Sequence, residues 1–525
     1  MTNPQRVPAH AAPCPTLSRA DYDAVIFDLD GVITRTARVH AHAWKATFDE
    51  FLRRRAEATG QRFVPFELPQ DYTEYVDGKP RLDGVRDFLA SRGIALPDGP
   101  PEEPDTVVGI GQRKNEQFLA TLEKEGVEVF ETSVRAVEAL RELGFRTAIV
   151  SSSRNCGPVL EQAGLTHLFE ARVDGVVSAE QHLTGKPAPD IFLQAAKELG
   201  VAPGRAVVVE DALSGVEAGC RGDFGLVIGV NRAQQAADLA ARGADLVVDD
   251  LGELGWEDQE GRRRPPSALA CFDRIRGQAE GRRLALLLDY DGTLTPIVER
   301  PEDAVLTDDA RASVARVARR YPVAIVSGRD RADVQERVAI EKLAYAGSHG
   351  FDTVTPDGQE HVPAAAEDAL PALDEAEAAL ADALADIDGS QLERKRFSLA
   401  IHYRRVAEER WRDVERAVDE AAQRCGLRRK EGKRVYELQP DLDWDKGAAV
   451  RWLLEALGLD GDDVLPIYIG DDLTDEDAFR ALKDRGLGIV VLDLPRPTLA
   501  DFSLDDPDEV RRFLDDLADA AETSA

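Results

Sequence analysis

Two stretches of the sequence place paired aspartates directly after an apolar run. One is DAVIFDLDGVITR, with Asp28 and Asp30, and the other is LALLLDYDGTLTP, with Asp289 and Asp291. Side chains two residues apart in an extended segment point to the same face, so each pair should converge. Two such carboxylates repel each other unless a cation or a shared proton lies between them. Either copy alone could be an ordinary strand-to-turn corner, because Asp-Gly turns are common, but the repetition favours two related active sites.

Each aspartate pair is followed by a serine, a lysine and a second acidic pair, in the same order. The first set is Asp28, Asp30, Ser151, Lys186, Glu210 and Asp211, and the second is Asp289, Asp291, Ser327, Lys446, Asp471 and Asp472. The acidic and serine members each follow an apolar run that is typical of a buried strand. Because the carboxyl ends of parallel strands meet at one crevice, we expect each set to form one site.

These residue types together can transfer a phosphoryl group. An aspartate can attack phosphorus and form an aspartyl-phosphate. Mg²⁺, held by oxygen ligands from the first and last acidic motifs, can offset the repulsion between carboxylate and phosphate. A serine hydroxyl and a lysine ammonium can hold the other phosphoryl oxygens. The aspartate two positions on can protonate the leaving oxygen and then deprotonate the incoming nucleophile.

The repeated set resembles the haloacid dehalogenase-like superfamily of phosphotransferases. The resemblance implies Asp28 and Asp289 as nucleophiles, with Asp30 and Asp291 as acid/base residues. It implies that phosphate is held by Ser151, Lys186, Ser327 and Lys446. It also implies magnesium ligands among the acidic motifs, namely Asp28, Asp30, Glu210, Asp211, Asp289, Asp291, Asp471, Asp472 and the supporting Asp475.

The elements that position these residues alternate between strand and helix, which predicts an α/β fold with two doubly wound parallel sheets. Roughly 80 extra residues lie between the first two motifs in the first half, but between the second and third in the second half. Inserts at strand ends overhang the crevice and cover it as caps. The sequence predicts a mainly helical cap over about 46–128 and an α+β cap over about 355–440. Different caps on a shared core favour two different activities.

Composition and turn-forming residues predict the domain boundaries. Residues 1–20 are rich in Pro and Ala and are expected to be a disordered tail before a first domain at 21–252. Residues 253–268 are polar, basic and Pro-paired, so we expect a linker there, followed by a second domain at 269–520.

Bulk properties narrow the possible partners. A net charge of −33 argues against nucleic acid or an anionic membrane as a partner. The sequence contains no apolar run of about 18 residues and its start has no apolar signal core. The five cysteines are scattered and odd in number, which favours free thiols in a reducing cytoplasm over a disulfide framework or a zinc site. We therefore expect a cytoplasmic enzyme that acts on small molecules.

The second half carries LERKRFSLAIHYR, GKRVYELQP, GSHG, SGRD, WDKG and GDDLTDEDAF, and with them it is similar to trehalose-6-phosphate phosphatases. The resemblance implies hydrolysis of trehalose 6-phosphate. Carboxylates accept hydrogen bonds from sugar hydroxyls, while Lys and Arg bind phosphate. The implied sugar-facing cap residues are Glu393, Lys395, His402, Arg404 and Glu437. Gly328 and Arg329 would add to the phosphate site after Ser327. His402 and Arg404 could equally be ordinary strand residues, and we expect His349 to be a hydrogen-bonding residue at a turn.

The first half carries FDLDGVIT, TARVHAHAWK, RKNEQF, SSSRN, GKPAPDIF and VEDALSGVEA, and it resembles β-phosphoglucomutases. The resemblance implies conversion of β-glucose 1-phosphate, or another hexose phosphate, to glucose 6-phosphate. It implies that His40 and Trp44 couple cap closure to the site. The implied phosphate and substrate contacts are Arg81 for the distal phosphate, Lys114 in the cap, and Arg154 and Asn155 after Ser151.

The first half also departs from that resemblance. Arg35 stands where an acidic residue is usual, and the segment from Pro65 to Asp77 is enlarged around Tyr72 and Tyr75. These departures leave room for a sugar-phosphate phosphatase. Two separate alternatives are a first half that is a non-catalytic sugar-phosphate sensor or scaffold, and a chain that is a broad sugar-phosphate phosphatase throughout. The intact nucleophile argues against the sensor, because a binding module does not need one.

Overall fold

The computed structural model describes residues 14–298, 300–432 and 434–523. The chain divides into two compact units. The first unit contains Cys14–Pro266 together with Leu494–Pro497, and the second contains Ser267–Asp493 together with residues 498–523. Most of the predicted N-terminal tail lies outside the described residues.

Strands and helices alternate through the first unit. Its strands are β1 Thr16–Ser18, β2 Ala24–Asp28, β3 Arg146–Val150, β4 Ala171–Val173, β5 Ala206–Glu210, β6 Leu226–Val230, β7 Leu246–Val248, β8 Gly255–Glu257 and β9 Arg263–Arg264. Its helices are α1 Thr36–Thr59, α2 Arg81–Ser91, α3 Val107–Glu125, α4 Glu131–Glu142, α5 Cys156–Ala163, α6 Gly175–Glu180, α7 Asp190–Leu199, α8 Leu213–Arg221 and α9 Ala236–Ala241.

The main sheet of the first unit is parallel, with strand order β4-β3-β2-β5-β6-β7. Successive residues of β2 belong to different apolar clusters: Val25 and Phe27 to one, Ala24 and Ile26 to the other. Both faces of the sheet are therefore covered, which explains why its strands are apolar throughout instead of alternating. The predicted doubly wound α/β fold is confirmed.

A helical cap follows β2, as predicted. It consists of α1 to α3 and a π-helical turn at Tyr72–Val76. Phe48 lies at its centre, with ring centroids 5.0 Å from Trp44, 5.2 Å from Phe66 and 4.2 Å from Phe88. This aromatic cluster gives the cap a core of its own.

Two expectations about connecting segments are wrong. Thr16–Ser18, within the expected tail, pairs in parallel with Gly255–Glu257, within the expected linker, and Arg263–Arg264 adds a third strand. Trp256 is buried and packs edge-on against Phe145, with ring centroids 6.4 Å apart. One large apolar side chain thus anchors a segment whose polar composition suggested a linker.

The second unit repeats the core with more strands. They are β10 Arg283–Leu288, β11 Val323–Val326, β12 Ala344–Gly347, β13 Asp352–Val354, β14 Glu360–His361, β15 Gln391–Lys395, β16 Ser398–His402, β17 Leu427–Gly432, β18 Val435–Pro440, β19 Val464–Gly470, β20 Leu487–Val491 and β21 Phe502–Leu504. Its helices are α10 Phe272–Ala279, α11 Asp308–Ala318, α12 Arg331–Val338, α13 Ala364–Asp368, α14 Leu370–Leu384, α15 Trp411–Cys425, α16 Lys446–Ala456, α17 Glu476–Leu482 and α18 Pro507–Thr523.

Its main sheet has the order β14-β13-β12-β11-β10-β19-β20-β21 and is parallel except at β13 and β14. The predicted α+β cap is a separate antiparallel sheet in the order β15-β16-β18-β17. Leu399, Ile401 and Leu438 are buried in a cluster with α14 and α15. Because side chains alternate across a strand, Glu393 and Glu437 lie on the other, polar face.

The cysteine prediction holds only in part. Cys156, Cys220 and Cys425 are free thiols, whereas Cys14 and Cys271 are disulfide-bonded, so the expectation of free thiols is wrong for these two. Across the described part of the chain, every helix is too short or too polar to cross a membrane.

Candidate active sites

The motif residues of the first unit meet at the carboxyl end of its sheet. Lys186 Nζ lies 2.5 Å from Asp28 Oδ1 and 2.6 Å from Glu210 Oε1, and all three side chains are buried. Asp28 ends β2 and Glu210 ends β5, so neighbouring strands deliver both carboxylates to the lysine. Burial and the nearby charge of Glu210 raise the pKa of Asp28 to about 8, although Lys186 opposes the shift.

Asp30 is held as a charged acceptor. Thr36 Oγ1 donates to it at 2.5 Å, Ser151 Oγ at 3.2 Å, and His40 Nε2 lies 3.4 Å away. Burial alone would raise the pKa of Asp30, but the His40 charge and these hydrogen bonds hold it well below its usual range. An ionised carboxylate beside the nucleophile suits an acid/base residue that must accept a proton.

The second unit has the same lysine arrangement. Lys446 Nζ lies 2.7 Å from Asp289 Oδ1 and 2.6 Å from Asp475 Oδ1, again with all three side chains buried. Tyr468 donates its hydroxyl to the same Asp475 oxygen at 2.6 Å. Burial, together with the charges of Asp475 and Asp471, raises the pKa of Asp289 well above its usual range.

A glycine packs against an acidic side chain in both sites. Gly31 has φ +90°, and a Cβ there would lie 1.8 Å from Asp211 Oδ2. Gly292 has φ +80°, and its Cβ would lie 2.0 Å from Asp471 Oδ2. Only glycine lets these carboxylates approach the backbone next to the nucleophile. Asp211 and Asp471 therefore occupy equivalent places.

The residue of the second unit that corresponds to Glu210 is not the one expected from the order of the acidic residues in the sequence. Asp475, and not Asp472, occupies the place of Glu210, because a 3-10 turn at Leu473–Asp475 returns the chain to the lysine. Asp472 is exposed and caps that turn by accepting the backbone N–H of Leu473 at 2.7 Å. Ligand oxygens of Asp289, Asp471 and Asp475 all lie within 4.8 Å of one another. This spacing fits one small cation with oxygen ligands.

Arg329 contacts Asp291, the predicted acid/base residue. Its guanidinium donates two hydrogen bonds to Asp291, at 2.6 and 2.7 Å, and one to Asp333 at 3.0 Å. A bidentate pair of this kind fixes the plane of the carboxylate. The backbone N–H of Arg329 also donates to Ser327 Oγ at 3.1 Å. Arg329, predicted to bind phosphate, therefore contacts Asp291 in this structure.

The cap of the second unit reaches the serine loop. Lys395 Nζ lies 3.2 Å from the Gly328 carbonyl oxygen and 3.5 Å from Glu437 Oε1. Glu437 also accepts from Ser398 at 2.7 Å and pairs with His349 at 3.1 Å. Burial opposes the charged form of Glu437, but Lys395 and His349 outweigh it and hold its pKa well below the usual range. His349 lies in a turn with a left-handed φ of +57°, and its ring contact with Glu437 joins that turn to the cap.

The other cap residues are spread more widely. His402 Nε2 lies 2.9 Å from Glu393 Oε2, at the opposite end of the polar cap face from Lys395. Arg404 is exposed in a turn beyond the end of β16, away from this row of contacts. Lys430 lies on the same face as Glu437 and directly opposite it in the β17–β18 pair. It belongs to none of the motifs used in the sequence analysis, so it was not predicted as a site residue.

The first unit contains a cavity of about 550 Å³ between cap and core. The predicted residues that line it are Asp28, Asp30, His40, Trp44, Arg81, Lys114, Arg154, Asn155, Lys186 and Asp211. Lys114 is buried and hydrogen-bonded to the ring of His40. Burial and the charge of Arg81 lower the pKa of Lys114 to about 7, despite Asp30. Burial and the charge of Arg154 likewise lower the pKa of Arg81. This clustering of cations can bind an anionic group at a distance from Asp28.

The departures noted in the sequence have structural counterparts. The Arg35 guanidinium lies 4.2 Å from the ring centroid of Phe130, so it is used in packing. Tyr75 packs against Phe88 within the cap core, with centroids 6.1 Å apart. Tyr72 and Asp77, by contrast, line the cavity, and sequence reasoning assigned neither of them to the site. Burial and the charge of Glu210 raise the pKa of Asp77 to about 7.

Comparisons with known proteins match each unit to a family. The family profile described as haloacid dehalogenase-like hydrolase matches residues 22–222, and the trehalose-phosphatase profile matches residues 287–508. The chain therefore belongs to the haloacid dehalogenase-like hydrolases, and its second unit belongs to the trehalose-phosphatase family.

Individual relatives cover different parts of the chain. A β-phosphoglucomutase of Mycobacterium bovis is 54% identical over 237 residues, which are 44% of this chain and 90% of the relative. A trehalose-phosphate phosphatase of Mycobacterium leprae is 40% identical over 404 residues, 74% of this chain and 92% of the relative. An uncharacterized glycosyl hydrolase of Mycobacterium tuberculosis is 44% identical over 96% of this chain, but the chain spans only 38% of that relative's length.

Proposed function

We propose that the second unit hydrolyses trehalose 6-phosphate to trehalose and phosphate. The observation that carries the proposal is the buried contact of Lys446 with Asp289 and Asp475, beneath a trehalose-phosphatase cap whose Lys395 reaches the serine loop. The comparison with trehalose-phosphate phosphatases supports the substrate. A panel of trehalose 6-phosphate and glucose 6-phosphate, offered to the full chain carrying Asp28→Asn, tests it. Equal turnover of both would favour a broad sugar-phosphate phosphatase.

The residues of the second unit account for both half-reactions. Asp289 attacks phosphorus, the bond from phosphorus to the sugar oxygen breaks, and Asp291 gives that oxygen its proton. Water then attacks the aspartyl-phosphate while Asp291 takes the proton back, and the carboxylate of Asp289 leaves. Lys446 and Ser327 hold phosphoryl oxygens, and Arg329 keeps the Asp291 carboxylate oriented.

Mg²⁺ fits the acidic residues of both sites. In the second unit Asp289, Asp471 and Asp475 would hold it, because their ligand oxygens lie within 4.8 Å of one another. In the first unit the corresponding residues Asp28, Glu210 and Asp211 would be the ligands, by equivalence of position. The raised pKa values of Asp28, Asp211 and Asp289 reflect buried carboxylates in need of positive charge. When bound, the ion would offset the repulsion between these carboxylates and the phosphoryl group.

We expect Mg²⁺ binding by the second unit to weaken in acid. Burial and the charge of Asp475 raise the pKa of Asp471 to about 7, so below that pH the metal-free site holds a proton that Mg²⁺ must displace. The half-saturating Mg²⁺ concentration should rise as the pH falls below 7, by about tenfold per pH unit for each proton that Mg²⁺ displaces. Calorimetric titration of the full chain carrying Asp28→Asn, repeated in buffers of different ionisation enthalpy, measures both affinity and proton release. Affinity that stays constant across this range would contradict the expectation.

For the first unit we propose phosphoryl transfer on a hexose phosphate, in the manner of β-phosphoglucomutases. The cavity supports this, because it joins the nucleophile Asp28 to the separate cations Arg81 and Arg154. The full chain carrying Asp289→Asn should convert β-glucose 1-phosphate to glucose 6-phosphate when a trace of the 1,6-bisphosphate is present. Release of free phosphate alone would identify a sugar-phosphate phosphatase, and no turnover at all would favour the sensor. The variant that also carries Asp28→Asn is the matched control.

A further inference from the structure

A cap segment of the first unit touches the core at two points beside the nucleophile. Ser214 Oγ donates to the Asp77 carbonyl oxygen at 3.2 Å, and Ser152 Oγ donates to the Gly78 carbonyl oxygen at 2.8 Å. Gly78 has φ +67°, and a Cβ there would lie 2.5 Å from Ser214 Oγ. Ser152, directly after Ser151, and Ser214, shortly after Asp211, therefore fix where the segment enters the site.

The side chain of Asp77 then faces the cavity. It lines the same space as Asp28, Asp30 and Asp211, and Tyr72 lines that space as well. The π-helical turn at Tyr72–Val76 ends at Asp77, whose backbone N–H donates to the Tyr72 carbonyl oxygen at 3.0 Å. Neither residue belongs to the repeated phosphoryl-transfer set.

The charge around Asp77 limits what it can bind. Glu210, Asp30 and Asp211 add negative charge nearby, and Lys186 is already paired with Asp28 and Glu210. A carboxyl group in this position repels phosphate but accepts hydrogen bonds from neutral donors. The cavity, at about 550 Å³, is large enough for a hexose phosphate, whose hydroxyls are such donors.

We propose that Asp77 is a specificity-determining residue of the first unit, where it accepts a hydrogen bond from a sugar hydroxyl beside Tyr72. The inference rests on the function proposed for this unit, since it requires a sugar phosphate in the cavity. It assigns the enlarged segment 65–77 to recognition of the sugar and leaves the phosphate to the cations.

The test compares a sugar substrate with one that has no hydroxyls. The full chain carrying Asp289→Asn serves as the parent, so that only the first unit acts. Into it are placed Asp77→Ala, Asp77→Asn and Tyr72→Phe, with Asp105→Asn as the control, because Asp105 is an exposed cap residue with a 69% accessible side chain. Each protein is assayed with β-glucose 1-phosphate and with acetyl phosphate, and its thermal midpoint and Mg²⁺ dependence are recorded.

We expect Asp77→Ala to lower kcat/KM for β-glucose 1-phosphate roughly 10- to 100-fold, as removal of a charged partner of a substrate hydroxyl does. Acetyl phosphate turnover should stay within about threefold of the parent, and Tyr72→Phe should give a smaller loss in the same direction. Equal losses on both substrates, or a shifted Mg²⁺ requirement without a change in selectivity, would overturn the proposal. If the parent itself turns over acetyl phosphate but no hexose phosphate, the function proposed for the unit is wrong and the role of Asp77 falls with it.

Discussion

Asp289→Asn is expected to abolish the release of trehalose from trehalose 6-phosphate by the full chain. The carboxylate is buried at the end of β10 and contacts Lys446 at 2.7 Å, so the amide keeps the shape of the site but loses the nucleophilic oxygen. Loss of a nucleophile lowers kcat by at least roughly 10³-fold. Trehalose and phosphate should be quantified separately, in a protein that also carries Asp28→Asn.

The single Asp28→Asn variant is the matched control for this measurement. It removes the equivalent carboxylate of the first unit, beside the equivalent lysine, and should leave trehalose 6-phosphate turnover unchanged. Substantial trehalose release by the double variant would mean that Asp289 is not the nucleophile.

Asp475→Asn should nearly abolish activity of the second unit, whereas Asp472→Asn should lower it only slightly. Asp475 is fully buried and contacts both Lys446 and Tyr468 at 2.6 Å, so its loss changes the charge of the site and removes an oxygen from the proposed Mg²⁺ position. Asp472 is exposed and caps a turn. We expect kcat/KM to fall at least roughly 100-fold for Asp475→Asn and less than about fivefold for Asp472→Asn.

The two variants differ by position within one acidic run, so each controls for the other. Steady-state kinetics over a range of Mg²⁺ concentrations separate a lost metal ligand, which raises the Mg²⁺ requirement, from a lost fold, which lowers the thermal midpoint. A larger effect of Asp472→Asn than of Asp475→Asn would mean that the metal is held by Asp471 and Asp472, the adjacent pair predicted from the sequence.

The alternating elements and the repeated motifs were predictable from the sequence because they depend on local pattern. Apolar runs such as AVIF and LALLL mark strands that are buried on both faces, and an Asp-x-Asp-Gly motif marks where each strand ends. The different positions of the two inserts predicted a helical cap in one unit and an α+β cap in the other.

Contacts made by side chains far apart in the sequence were less predictable. Arg329 was predicted to bind phosphate because it follows Ser327, and nothing in the sequence indicated that its guanidinium also contacts Asp291. Trp256 anchors a strand within an expected linker, because burial of one aromatic residue outweighs a polar composition. Such contacts depend on which groups lie nearby in space, and this proximity cannot be predicted from the neighbouring residues in the sequence.

The sequence by itself therefore determined that the chain has two α/β cores, each with an aspartate pair, a serine, a lysine and an acidic loop, under unlike caps. The tertiary structure decided how those residues are paired. Equivalent lysines contact Glu210 in one unit and Asp475 in the other, because a 3-10 turn carries Asp475 back to the place that Glu210 reaches directly at the end of β5. It also decided that Asp77 faces the cavity, since that depends on a π-helical turn and on two serine contacts to the core.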